Sequence, residues 1–118
     1  MELLSFLKEL VATWNQSTIS YKEYLSSGKT FRFAQQLRQC NSKALELLTT
    51  HKQLLPDDMQ FNATTLINHY NIWTEKWDQL AAELTPALND KFVFANTVTF
   101  PKEAARNLET LYEQLKQR

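Results

Sequence analysis

Between Asn62 and Leu84, the residues Leu66, Tyr70, Trp73, Trp77, Leu80 and Leu84 recur at alternating spacings of four and three. That period lines side chains along one face of a helix. The opposite positions, Asn68, Asn71, Glu75, Asp78, Gln79 and Glu83, are polar. Two of the three tryptophans lie on the stripe, so this helix needs other segments to cover it. Residues 2–26 repeat the pattern with Leu3, Leu7, Leu10, Trp14, Ser17, Tyr21 and Tyr24, flanked by Leu4, Val11, Thr18 and Leu25. Ser26-Ser27-Gly28 ends that helix, and Gly28 suits the left-handed residue that a helix C-terminus often requires.

Thr30 is the expected N-cap of a second helix over residues 31–54, with Phe33, Leu37, Cys40, Ala44, Leu47 or Leu48, His51 and Leu54 as its stripe. Pro56 pushes the residue before it out of helical geometry. Asp57 and Asp58 suit the positive end of the helix that follows. That third helix is expected to stop near Thr85-Pro86. A fourth begins near Pro101 and runs to about Lys116, with Ala104 or Ala105, Leu108, Leu111 or Tyr112, and Leu115 inward.

The link before the fourth helix reads differently. Phe92, Val93, Phe94, Val98, Thr99 and Phe100 are aromatic or β-branched, the chemistry of extended backbone. Extended connection is the preferred reading. A small hairpin about Ala95-Asn96 is the alternative, although alanine resists the positive φ that such a turn demands. The pattern thus predicts an all-α fold: an antiparallel four-helix bundle forming a single domain over 1–118, with an apolar connection before the last helix.

Composition supports this. The chain has 118 residues, 43% of them hydrophobic, with one glycine and three prolines. Sheets joined by tight turns consume more glycine than this. The net charge of zero argues against a general nucleic-acid-binding role, which needs excess cations. The charge is unevenly placed, net positive over 29–52 and net negative over 57–90. Complementary flanks of neighbouring second and third helices account for that most simply. The N-terminal stretch lacks the basic start and cleavage site of a signal peptide, and no apolar run approaches a membrane span, so a soluble cytoplasmic protein is expected. The two Asn-x-Ser/Thr matches, at Asn15 and Asn62, are read as chance.

The chemical inventory is sparse. Cys40 is the sole cysteine, which excludes an internal disulfide and cysteine-rich zinc sites. No Glu-x-x-His occurs, and His51 and His69 lie at unequal distances from Pro56, so no metal site or cofactor is expected. Cys40 falls on an apolar stripe and reads as a small hydrophobe rather than a nucleophile. A single glycine rules out phosphate-binding loops. The chain is therefore read as non-catalytic.

Two functional expectations remain. The favoured one is a small protein-interaction module, working as a homodimer, accessory subunit, inhibitor or chaperone-like adaptor, through an apolar surface of Phe92, Phe94, Val98, Phe100 and Phe31, extended by Phe6. Its partner is another protein or a second copy of the chain. The alternative is a small-molecule-binding bundle whose pocket is lined by Trp14, Tyr70, Trp73 and Trp77, since large rings between helices leave cavities.

Overall fold

A computed structural model describes residues 1–94 and 99–118. It is all-α: helices α1 (Leu3–Ser26), α2 (Phe31–His51), α3 (Gln60–Leu84) and α4 (Lys102–Lys116) pack into a four-helix bundle 47 × 23 × 23 Å in extent. Each helix meets two neighbours, α1 with α2 and α4, and α3 with α2 and α4. Contacts step in opposite order along the first pair. Phe6, near the start of α1, meets His51 at the end of α2, with ring centroids 5.6 Å apart, whereas Ser20 meets Cys40. The expected Ala95-Asn96 hairpin turn lies outside the described residues.

The helix ends follow local chemistry. Gly28 sits at φ 81°, Lys29 N–H bonds to Tyr24 O (2.9 Å), and Gly28 N–H bonds to Leu25 O (3.2 Å). This is a Schellman closure, which satisfies carbonyls the helix leaves open. Thr30 is extended at the N-cap of α2, but its side chain makes no capping bond and faces Ser27 Oγ instead. The caps come from far along the chain: Phe31 N–H donates to Asp90 O (2.8 Å) and Arg32 N–H to Leu88 O (2.9 Å). Phe92 N–H then donates to Lys29 O (2.8 Å), beside an isolated antiparallel bridge between Thr30 and Lys91. The connection after α3 is thereby tied to the α1–α2 turn. At the other end of the bundle, Gln60 Nε2 donates to Lys52 O and Leu55 O and secures the α2–α3 link.

The core divides along the bundle axis. One cluster joins the first half of α1 (Phe6, Leu7, Leu10) to Leu47 and Leu48 of α2, Leu66 of α3 and Leu108 of α4. The other joins Tyr24, Phe31, Ala34, Trp73, Trp77 and Phe92. In that second cluster no residue comes from α4; the connection supplies Phe92 in its place. Helix length explains this. α1 has 24 residues and α4 has 15, and at 1.5 Å per residue the fourth helix falls about 14 Å short.

Most of the expected stripe of α3 is buried, from Leu66 to Trp77, and its six polar positions are exposed. Leu84, at the last turn, is 52% exposed. On α1 the inward face lies a little to one side of the expected line: Phe6, Thr13 and Ser20 are buried, whereas Tyr21 is 52% exposed. Thr13 can sit inside because its hydroxyl bonds back to Glu9 O (2.8 Å). The expected charge complementarity of α2 and α3 is met at Arg38 and Asp78. They form a two-pronged pair (2.7 and 3.0 Å) with the guanidinium 5.6 Å from the Trp77 ring centroid.

Two predictions follow from the packing. Phe92→Ala removes a fully buried ring wedged against Phe31 and Trp77 and is expected to lower stability by about 3–5 kcal/mol in chemical denaturation. A loss under about 1 kcal/mol would contradict its burial. Gly28→Ala meets no neighbouring atom within 4 Å. Its expected cost of about 1–2 kcal/mol is therefore backbone strain alone.

Candidate functional site

The missing length of α4 leaves a slot between α1 and α3. Its volume is about 790 Å³, within the range of roughly 300–1,000 Å³ typical of small-molecule sites. Trp14, Ser17, Thr18, Tyr21 and Tyr24 of α1 form one wall, and His69, Tyr70, Trp73 and Trp77 of α3 the other. Ala34, Leu37 and Asn41 of α2 contribute from the third side. Lys29 of the α1–α2 turn, Lys102, Ala105 and Glu109 of α4, and Val93, Phe94 and Phe100 of the connection complete the lining. Val93 and Tyr21 are about half exposed, so the slot opens to solvent beside them.

The four residues expected to line a pocket, Trp14, Tyr70, Trp73 and Trp77, all line this one slot. Trp14 and Tyr70 span it: the indole Nε1–H donates to the Tyr70 hydroxyl at 2.9 Å. That bond fixes two rings from opposite walls, whose helices make few direct contacts. Phe94 packs edge-on to Trp73, with centroids 5.5 Å apart. The Tyr24 hydroxyl donates to Phe92 O and holds the connection against α1.

Part of the expected apolar interaction surface lies in the core. Phe92 is fully buried and Phe31 is 8% exposed, stacked at 5.6 Å on Trp77. Phe6 is fully buried as well. These rings complete the core where helices are absent or end, so they present no surface to a partner. Phe94 and Phe100 are half-buried and line the slot. Val98 lies outside the described residues.

His69 is buried, at 7% exposure. Its ring lies edge-on to Tyr70 and to Phe100, each at 5.3 Å. Its Nδ1 is buried with no hydrogen-bond partner. Buried polar atoms are usually satisfied, so this closed-off nitrogen is an exception in the packing. Burial holds the imidazole below its ordinary pKa, which keeps it neutral. Burial also pushes the Tyr70 phenol up to about 12, against the opposing effect of the Trp14 hydrogen bond. Tyr24 is raised for the same reason, burial. All three groups are uncharged at neutral pH, so they add polar atoms but no charge to the lining.

Among the described residues, no group of three His, Cys, Asp or Glu side chains is placed to hold a metal ion, and no helix is long and apolar enough to cross a membrane. Fold and site together define a helical bundle with an aromatic slot in place of part of its fourth helix. No protein-family model, curated protein or solved structure matches the chain.

The His69 environment predicts a pH dependence. The unfolded chain takes up the imidazole proton near pH 6.5, and the folded chain only at lower pH. Between those values the unfolded state binds more protons, so this contribution to stability is complete above about pH 6.5 and falls as the solution is acidified. Thermal melting followed from pH 7.5 to 5 is expected to show a smaller drop for His69→Phe than for the unaltered chain. Equal drops would exclude His69 as the titrating group.

Proposed function

We propose that this chain is a non-catalytic, small-molecule-binding helical bundle, with the slot between α1 and α3 as its binding site. One observation carries the reading: Trp14, Tyr70, Trp73 and Trp77 converge on a single cavity of ligand size. Indole and phenol rings offer broad apolar area at low entropic cost, which suits them to hold a planar guest. The few polar side chains of the lining, Ser17, Thr18 and Asn41 among them, supply orientation rather than bulk affinity. A partner-binding role is less well supported, because Phe31 and Phe92 are consumed by the core.

Ser17 tests this, since it lines the slot and is only half-buried. Ser17→Phe places a ring in open volume, so overpacking strain is avoided and the fold is kept. Tryptophan fluorescence of the unaltered chain is expected to shift on titration with an uncharged naphthalene derivative. Ser17→Phe is expected to weaken binding at least tenfold, with the circular dichroism spectrum and melting temperature retained. Equal binding by the variant would place the ligand elsewhere, and no binding by the unaltered chain would refute the proposal.

A further inference from the structure

His69 is a buried titratable side chain that the proposed binding role does not use. We propose that it is a proton-operated latch: protonation of its ring displaces Phe100 and widens the slot, while the four helices stay folded. This concerns the protein's own conformation and stands whether or not the slot takes a ligand.

The His69 ring reaches water only past its neighbours. It is 7% exposed, lies edge-on to Tyr70 and to Phe100 at 5.3 Å each, and its Nδ1 has no hydrogen-bond partner. The neutral imidazole has one N–H donor, whereas the imidazolium has two and a charge. Enclosing that charge without an acceptor costs far more than enclosing the neutral ring. The charged residues on the elements about it are Lys76, two turns along the same side of α3, and Lys102, Glu103 and Glu109 of α4. α1 and α2 bring no ionic side chain to the slot, and Lys29 lines it at the α1–α2 turn. None of these offsets burial, which holds the imidazole below its ordinary pKa.

The two rings against His69 differ in how firmly they are held. Tyr70 lies within α3, and its hydroxyl accepts from Trp14 across the slot at 2.9 Å. Phe100 lies outside any helix and is half-buried, with its ring against His69 and Tyr70. Phe100 is therefore the side that yields. It also lines the slot, so its displacement opens the wall where α4 begins. The enclosed imidazole takes a proton only below pH 6.5, whereas a ring released to water takes one near that value. The released form thus binds more protons in between, and acidification shifts the population toward it.

All three tryptophans, Trp14, Trp73 and Trp77, line the slot, so their access to the neutral quencher acrylamide reports its opening. The full chain would be measured from pH 7.5 to 5, where exposed carboxylates stay largely ionised. The other histidine, His51, packs on Phe6 at the end of α2. The quenching constant is expected to rise by about twofold or more toward pH 5, with the helical circular dichroism signal retained. His69→Phe and His69→Gln are both expected to stay flat over the same range. Phe100→Ala is expected to show the raised constant already at pH 7.5. A constant that ignores pH in the unaltered chain, or an equal rise in the two His69 variants, would overturn the proposal. So would a rise that appears only as the helical signal is lost, or unchanged quenching in a folded Phe100→Ala.

Discussion

The architecture depends on one mismatch of length. Three helices of 21 to 25 residues each present an apolar face, and the fourth helix has 15. Apolar area left in water costs roughly 25 cal/mol per Å², so the uncovered half of the bundle cannot simply stay bare. The chain solves this with side chains instead of a helix. Phe92 fills the end of the bundle against Phe31 and Trp77, and Phe94 lies on Trp73. The coverage is incomplete, and the remainder is the slot.

A connection without regular structure can do this only if its backbone polar groups are satisfied. Here the open N–H groups at the start of α2 receive the Leu88 and Asp90 carbonyls, and Phe92 N–H finds Lys29 O. One set of bonds serves both partners: α2 gains its cap and the connection gains its anchor. The left-handed residues Gly28 and Lys29 turn the chain so that Lys29 O faces outward to accept. Sequence position therefore hides the dependence, because a cap of residue 31 is supplied by residues nearly sixty positions later.

This separates what was legible in the sequence from what was not. Period-based signals were strong where a helix has one buried face, as in α3, and the four helices could be placed from spacing, Gly28, Pro56 and Pro86. Phe6 fell off the expected stripe because the buried line of α1 runs through Phe6, Leu10, Thr13, Ser20 and Tyr24, to one side of it, and Phe31 because it stands at the very start of α2, where its ring meets Trp77 and Phe92. Thr13 and Ser20 were missed as core because a hydroxyl bonded within its own helix packs like a small apolar group. The convergence of Trp14 with Tyr70 and Trp73 was open to sequence reading as a hypothesis, since all three are large rings on inward faces. The buried nitrogen of His69 was not, since it depends on which groups fail to meet it.

The slot's size argues against its being an empty void. At about 24 cal/mol per Å³, a dry cavity of 790 Å³ would cost on the order of 19 kcal/mol, more than the roughly 5–15 kcal/mol that holds a domain of this kind together. The volume must therefore be shared with solvent, which enters beside the half-exposed Tyr21 and Val93. Water against indole faces makes few hydrogen bonds, so its release favours any apolar guest. The same rings that leave the slot unfilled thus supply the driving force for filling it. In the proposed binding role, the polar side chains of the lining would then select among guests already favoured by shape.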